Sequence, residues 1–120
     1  KASGVEKLDS LYELSNSLVG KLSTIPTVKE LPAHKKINIQ FIHSDMLDVD
    51  ISDADIVFIN ATCFKDKLWD GIVVKLLNLT VGSRVILPSN ALTVGGFKLK
   101  HRNMYLMSWG LSQVSIYERI

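Results

Sequence analysis

Apolar side chains recur along the chain at spacings of three and four residues in two stretches. This spacing places them on one side of a helix and predicts amphipathic helices over residues 7–23 and 68–77. The first stripe consists of Leu8, Leu11, Leu14, Leu18 and Leu22. The second stripe consists of Leu68, Trp69, Ile72, Val73, Leu76 and Leu77.

Short apolar runs between these helices predict strands at residues 2–6, 37–42, 55–60 and 83–87. The run at 55–60 is continuous, β-branched and aromatic, which is typical of a strand covered on both faces of a parallel sheet. Three polar or proline-containing stretches predict loops. These loops are residues 26–32, the aspartate-rich segment 45–53, and residues 88–96.

The last part of the chain predicts two closing strands, at residues 104–107 and 113–117, joined as a hairpin at Trp109-Gly110. The complete order is strand, helix, strand, strand, helix, strand and hairpin. This alternation favours an α/β fold, an open sheet with parallel strands. A length of 120 residues suits a single domain.

Composition narrows the function classes. The net charge of +2 gives no basis for nucleic-acid binding, and the one basic cluster, residues 98–102, is interpreted as a solvated edge. No apolar run reaches the ~20 residues of a membrane span. Cys63 is the only cysteine, which excludes an internal disulfide and favours an intracellular, reducing compartment. Histidine and cysteine lack the spacing of a metal site.

Polar side chains stand at the ends of three predicted strands: Glu6, Asp45 and Asn60. In open α/β sheets, ligands bind outside the carboxyl ends of the strands. A carboxylate at such an end can accept hydrogen bonds from ribose hydroxyls or from an adenine amine, and Met46 could pack on the ring. The alternative is that these residues only form turns, as Asp and Asn often do after strands.

Four motifs strengthen the ligand hypothesis through their order. They are GVE (residues 4–6), HSDMLD (43–48), NATCF (60–64) and MSWG (107–110). This layout resembles class I S-adenosylmethionine-dependent methyltransferases read from their second strand onward. Within that superfamily it is most similar to the non-SET histone-lysine methyltransferases of the disruptor-of-telomeric-silencing type.

The resemblance implies an incomplete Rossmann-like methyltransferase sheet that begins at the second strand and ends in a β-hairpin. It implies S-adenosylmethionine as the cofactor, with Glu6 on the ribose, Asp45 and Met46 around the adenine, and Asn60 at the end of the fourth strand. Residues 1–120 are then expected to form a partial methyltransferase domain. Nuclear and cytoplasmic residence both stay open.

The chain departs from the family in two places. It carries Ala61 and Thr62 where the subfamily tends to have a second Asn and an aromatic residue. It also has no Gly-x-Gly-x-Gly turn, and its Gly95-Gly96 pair lies too far downstream to replace that turn. In the family order, the absent first strand would lie between the strands that end at Glu6 and Asn60, leaving both with unpaired edges.

Unpaired backbone groups on buried strand edges cost free energy of folding. A missing N-terminal segment of the same domain is therefore an expected partner. Residues 1–120 alone are expected to be inactive. The predicted function is methyl transfer to an acceptor, specifically a histone-type protein lysine. Asn60 would orient the acceptor amine or the cofactor's amino group, and Phe64 would wall the acceptor channel. Two alternatives remain: a non-catalytic methyltransferase-like binding or scaffold module, and a nicotinamide-dependent dehydrogenase, whose ribose Glu6 would also suit.

Overall fold

The computed structural model describes residues 1–22, 24–32, 35 and 38–120. The predicted helix end at residue 23 and the predicted strand start at residue 37 lie outside these ranges. The described residues divide into two compact units, Lys1–Val49 and Asp50–Ile120. Each unit has its own small sheet.

The first unit is a strand–helix–strand arrangement. It contains β1 (Ala2–Glu6), α1 (Asp9–Leu22), α2 (Pro26–Lys29) and β2 (Ile39–His43). The two strands are parallel, with Glu6 opposite His43, and α1 packs mainly on β2. A helix is the usual connection between neighbouring parallel strands, so the predicted parallel pairing is confirmed here.

Two details of this unit differ from the sequence prediction. Four residues of the predicted loop form the short helix α2, which begins at Pro26. Proline is well tolerated there because the first turn of a helix needs no intrahelical N–H donor. The leucine stripe of α1 is also largely exposed, with Leu14 and Leu18 each 55% exposed. Of the stripe within α1, only Leu22 is half-buried, and the other half-buried residues of the helix are Tyr12, Ser15 and Val19.

The second unit has a four-stranded sheet and one long helix. Its elements are β3 (Ile56–Phe58), α3 (Asp66–Leu77), β4 (Arg84–Pro88), β5 (Phe97–Met107) and β6 (Gly110–Arg119). The strand order is β3-β4-β6-β5. β3 and β4 are parallel, whereas β6 is antiparallel to both β4 and β5. The sheet is therefore mixed rather than parallel throughout, and the predicted closing hairpin is confirmed.

The core of the second unit lies on one face of this sheet. Val85, Leu87 and Tyr117 are buried there, and Ile72 and Leu76 are the buried residues of α3. The end of α3 is attached to the same face, because the Arg119 guanidinium donates a hydrogen bond to the Leu77 carbonyl. The helical stripe predicted at residues 68–77 therefore does form core.

β5 is longer than predicted and occupies the outer edge of the sheet. Its first half contains the basic cluster of residues 98–102, whose side chains are exposed. Charged side chains on an edge strand discourage pairing with other chains. The cluster therefore lies on an exposed edge of the sheet, as the sequence interpretation expected of its position. Within the described ranges, no helix is both long and apolar enough to span a membrane.

β1 and β3 each keep an unpaired edge, as the sequence predicted. Among the described residues, β1 pairs only with β2, and β3 pairs only with β4. Each therefore presents one row of backbone N–H and C=O groups without a ladder partner. Strand edges of this kind are the usual place where a further strand is added to a sheet.

Candidate functional site

The parallel pairing in the first unit brings the ends of β1 and β2 side by side. Glu6 lies opposite His43, and the Ser44 amide donates a hydrogen bond to the Glu6 carbonyl at 3.1 Å. Asp45 follows directly, so the two predicted cofactor-binding carboxylates emerge at the same edge of the two-stranded sheet. Parallel strands place their carboxyl ends together, so Glu6 and Asp45 follow adjacent strand ends, and their binding of a cofactor stays a prediction.

Glu6 is half-buried and has a local structural role. Its Oε1 atom accepts a hydrogen bond from the Leu8 amide at 2.8 Å, immediately before α1 begins. The hydrogen bonds given by the described residues engage only this one of its two carboxylate oxygens. Glu6 therefore supports the start of the helix and still has Oε2 with which to accept another donor.

Asp45 is held by two donors. Its Oδ1 accepts the Leu47 amide at 2.9 Å, which closes a local turn, and its Oδ2 pairs with Lys7 Nζ at 2.7 Å. The Lys7 hydrogen bond, together with the Leu47 amide, lowers the pKa of Asp45. The same hydrogen bond and the charge of Asp45 raise the pKa of Lys7. Asp45 therefore stays a carboxylate, although a ligand amine would share it with Lys7.

Lys7 was not among the residues predicted from the sequence. Its position directly after Glu6 was the available signal, because a residue after a strand end can reach the neighbouring strand end. Lys7 is 71% exposed in its side chain, whereas Asp45 is 29% exposed. An exposed ammonium beside a half-buried carboxylate can move away and leave the carboxylate to a ligand.

His43 links the end of β2 to α1. Its Nε2 lies 3.0 Å from Asp9 Oδ1 and 3.2 Å from the Lys7 carbonyl oxygen. Its ring stacks on Tyr12 with 4.7 Å between centroids and an interplanar angle of 11°. These contacts hold the helix start over the strand ends, and they give His43 a positioning role that the sequence did not reveal.

Met46 is half-buried in the turn that follows Asp45. The backbone of this turn is closed by the Leu47 amide and by the Asp48 amide, which donates to the Asp45 carbonyl at 3.0 Å. A thioether on a closed turn beside a carboxylate is a suitable apolar surface for a flat ring. Its role on adenine stays a prediction.

In the second unit, Asn60 follows β3 and is exposed. Its Oδ1 accepts a hydrogen bond from the Thr62 hydroxyl at 2.7 Å. This contact lets Thr62, one of the two residues that depart from the family pattern, orient the Asn60 amide. The amide nitrogen of Asn60 and the second lone pair of its oxygen can still serve a ligand.

The turn that carries Asn60 is anchored from β4. Ala61 is fully buried, and its carbonyl accepts hydrogen bonds from the Phe64 amide at 3.0 Å and from the Asn90 side chain at 3.4 Å. Asn90 follows β4 through Ser89, which has φ of 65°. Such a φ is uncommon outside glycine and is frequent near functional sites. Both residues lie in the segment 88–96, for which the sequence predicts only a loop.

Phe64 is half-buried two residues before α3 begins, where it could form a wall of a channel or simply pack beside the helix. The role of Phe64 stays a prediction. The convergence of Asn60 with Glu6 and Asp45 on one site also stays a prediction, because Asn60 lies in the second unit and the two carboxylates lie in the first. Among the described residues, no three His, Cys, Asp or Glu side chains form a cluster suited to a metal ion.

Comparison with known proteins gives results at the level of structure. No protein-family model matches the chain, and no curated protein matches it in sequence. Solved structures do match. A putative methylase from Haemophilus influenzae superposes with a TM-score of 0.65 at 15% identity, covering 100% of this chain and 73% of its own.

Two further structures agree with this result. Magnesium protoporphyrin IX methyltransferase from Synechocystis PCC 6803, solved with bound S-adenosylmethionine, gives a TM-score of 0.66 at 13% identity, over 98% of this chain and 59% of its own. A putative tRNA (m1A22) methyltransferase from Streptococcus pneumoniae gives 0.58 at 14% identity, over 99% and 53%. The chain thus spans between about half and three quarters of these proteins, and over that part it has a Rossmann-like methyltransferase fold that ends in a β-hairpin.

Proposed function

We propose that this chain forms part of an S-adenosylmethionine-dependent methyltransferase domain. The observation that carries the proposal is the joint placement of Glu6 and Asp45 at the carboxyl ends of two parallel strands, in a fold that resembles methyltransferases. Carboxylates at these positions suit the hydroxyl and amine donors of an adenosine group.

Each residue of the first unit takes a distinct role in this proposal. The free oxygen of Glu6 accepts a hydrogen bond from a ribose hydroxyl, while its other oxygen keeps the Leu8 amide. Asp45 accepts from the adenine amine after Lys7 moves away, and its turn already holds Oδ1 in place. Met46 covers one side of the adenine ring.

The second unit contributes to the acceptor side. Bound S-adenosylmethionine supplies a methyl group on a cationic sulfur, which is a good leaving group, so the protein mainly provides position and desolvation. Asn60 accepts a hydrogen bond from the acceptor amine or from the cofactor's amino group, with the Thr62 hydroxyl fixing the orientation of its amide. Phe64 limits the access of water to the acceptor.

The acceptor we propose is a lysine of a protein of the histone type. The support is the order of the GVE, HSDMLD, NATCF and MSWG motifs, which resembles the non-SET histone-lysine methyltransferases. The net charge of +2 gives no support for an RNA acceptor. Because structural relatives include a methyltransferase for a porphyrin and a putative one for tRNA, an acceptor panel must contain all three classes.

The domain we propose includes a further segment of the same polypeptide. β1 and β3 are each paired on one edge only among the described residues, and a strand on each free edge would satisfy the exposed backbone groups. Experiments on binding and activity therefore use the longest polypeptide that contains residues 1–120.

A non-catalytic binding or scaffold module is the second candidate. The observation that favours it is the absence of a Gly-x-Gly-x-Gly turn from these 120 residues, since such a turn lets backbone approach a nucleotide cofactor closely. A module of this kind would keep the fold and the motif order without transferring a methyl group.

Titration with S-adenosylmethionine tests the proposal, with two matched aspartate variants. Asp45 and Asp50 each accept a backbone amide at 2.9 Å in a local turn, and the pKa of each carboxyl is lowered by its hydrogen bonds. We expect Asp45→Asn to weaken binding at least about tenfold and Asp50→Asn to leave it unchanged. Equal affinity of both variants and the parent protein would remove Asp45 from the site.

Transfer of a labelled methyl group to core histones, tRNA or a porphyrin then separates the candidates. Labelling of histone lysine supports the proposed acceptor, and labelling of tRNA or porphyrin replaces it. Cofactor binding without transfer to any of the three favours the non-catalytic module. A polypeptide that does not bind S-adenosylmethionine at all contradicts the methyltransferase proposal itself.

A further inference from the structure

Arg102, in the basic cluster of residues 98–102, has a side chain that the sheet holds in place. Its Nε donates a hydrogen bond to the Ser115 hydroxyl at 3.1 Å, and its Nη2 donates to the Tyr117 hydroxyl at 3.0 Å. Both acceptors belong to β6 and are buried, with Ser115 1% and Tyr117 4% exposed, whereas Arg102 itself is exposed. Two buried hydroxyls therefore orient a guanidinium that stays accessible to solvent.

A change of register in β5 brings Arg102 to these hydroxyls. The pairing of β5 with β6 shifts by one residue between Leu99 and His101, as in a β-bulge. In a regular ladder His101 would lie opposite Ser115, and Arg102 would fall on the other face of the sheet. Bulges are frequent at sheet edges and beside functional sites, where they redirect a side chain. The shift therefore has a direct consequence for the direction of Arg102.

The two hydrogen bonds use one edge of the guanidinium and leave the other edge for a ligand. Nε and Nη2 form the edge that contacts Ser115 and Tyr117. Nη1 donates no hydrogen bond within the described residues, and Nη2 keeps its second N–H. These remaining N–H groups form a planar fork, which matches two oxygens of a carboxylate or of a phosphate.

The charge of Arg102 has no acidic partner in the part of the chain that the structure describes. The ion pairs found there join Lys7 to Asp45, His43 to Asp9 and Lys100 to Glu118. The two hydroxyls that Arg102 contacts are neutral, so they fix the direction of the guanidinium without balancing its charge. A side chain that is already oriented loses less conformational freedom when it binds, which favours association with an anion.

We propose that Arg102, supported by Ser115 and Tyr117, forms an oxyanion-binding site on the edge strand of the second unit. The ligand group is a carboxylate or a phosphate that accepts two parallel hydrogen bonds from Nη1 and Nη2. Among the described residues, β5 has no neighbouring strand on its outer side, so no strand blocks the approach of a ligand from there. This inference goes beyond the proposed function and depends neither on S-adenosylmethionine nor on methyl transfer.

Anion titration followed by NMR of the arginine Nε–H signals tests the proposal. The longest polypeptide that contains residues 1–120 is titrated with inorganic phosphate and, separately, with acetate, at constant ionic strength and without S-adenosylmethionine. Arg84 is the matched control, because it is an exposed arginine of the same sheet whose side chain makes no hydrogen bond with the described residues. We expect a saturable shift of the Arg102 signal and no saturable shift of the Arg84 signal. Saturation with phosphate alone or with acetate alone supports the site and identifies which of the two groups it takes.

Substitutions separate the fork from the attraction of a single charge. Arg102→Lys keeps the cation and removes the fork, whereas Tyr117→Phe removes one supporting hydroxyl and keeps the buried ring. The backbone amide signals of residues 101–103 report binding in every variant. We expect Arg102→Lys to weaken anion binding at least about tenfold and Tyr117→Phe at least about threefold. Arg84→Lys should leave it unchanged.

Equal and unsaturable shifts at Arg102 and Arg84 would mean an adventitious ion only and would overturn the proposal. An Arg102→Lys protein that binds the anion as tightly as the parent would also overturn it, because the fork would then have no part in binding. If Tyr117→Phe does not fold, the comparison of the two arginines in the parent protein decides the question. Saturable binding at Arg102 in a protein that does not bind S-adenosylmethionine would support this site and contradict only the proposed function.

Discussion

Replacing Glu6 separates its structural role at the start of α1 from its proposed role in binding the cofactor, because each role uses a different carboxylate oxygen. Oε1 accepts the Leu8 amide at 2.8 Å, and Oε2 is the oxygen that we assign to the ribose. Glu6→Gln keeps one carbonyl oxygen for the Leu8 amide and loses the charge. Glu6→Ala removes both acceptors. The two variants are therefore expected to agree in cofactor binding and to differ in stability.

The size of the binding effect follows from a single charged hydrogen bond. Only one oxygen of Glu6 is available to the ligand, and a hydrogen bond to a charged group contributes about 1.5–3 kcal/mol. Both variants should therefore raise the Kd for S-adenosylmethionine by about 10- to 150-fold. Loss of the Leu8 contact in Glu6→Ala should lower the free energy of unfolding by about 0.5–1.5 kcal/mol, and Glu6→Gln should not.

Isothermal titration calorimetry measures the first effect and urea unfolding the second. Glu13→Gln, on the exposed surface of α1, is the control for a charge change near the same helix. A Glu6→Gln protein that binds S-adenosylmethionine as tightly as the parent would refute the reasoning, because the carboxylate charge would then have no part in binding. In that case Glu6 would only support the start of α1.

Three further outcomes test the structure. Leu76→Ala should lower the free energy of unfolding by about 2–5 kcal/mol because Leu76 is fully buried, whereas Val74→Ala at 62% exposure should change it by less than about 0.5 kcal/mol in urea titrations. Lys7→Met should raise the pKa of Asp45 toward its ordinary value in a carboxyl NMR titration, and an unchanged pKa would contradict the pairing. Gly96→Ala should cost about 1–3 kcal/mol, because φ is +88° and a guanidinium nitrogen lies 2.7 Å from the added Cβ.

The Lys7–Asp45 pair also has a defined pH window. The folded-state pKa of Asp45 is lowered, so its contribution to stability is present above the ordinary Asp value of about 3.9 and is lost as the pH falls through the folded-state pKa. The pKa of Lys7 is raised, so its contribution is present below about pH 10.4 and is lost as the pH rises through the folded-state pKa. Neutral pH lies inside both windows.

Residue periodicity predicted most elements because local patterns determine them. α1 and α3 were predicted from leucine and mixed apolar stripes, and the strand end at Glu6 was placed correctly. The strand predicted over residues 55–60 is shorter in the structure, where β3 spans Ile56–Phe58 and ends two residues before Asn60. The first half of β5 was missed, since its lysines and arginine resemble a loop when only the sequence is considered. An edge strand tolerates such residues because one of its sides faces water.

The candidate site was predicted to different extents in its two parts. The strand–helix–strand order predicts that β1 and β2 pair in parallel, and this pairing places the strand ends at Glu6 and just before Asp45 side by side. Lys7 and His43 were missed because their contacts cross from one strand end to the other. Lys7 and its partner Asp45 are 38 positions apart in the sequence, and His43 and the Lys7 carbonyl are 36 positions apart. A spacing rule within one element cannot find a pair of this kind.

The exposed side chains of β3 explain why composition and burial disagree in this chain. A run of apolar residues specifies how much surface the folded protein must remove from water, but it does not specify which segment covers that surface. In the second unit α3 covers one face, and Phe58 is left accessible on the other. Truncating Phe58 to Ala in residues 1–120 should therefore lower the free energy of unfolding by less than about 0.5 kcal/mol in a urea titration, because its side chain is 63% exposed. A cost of several kcal/mol would show that this side chain is buried in solution.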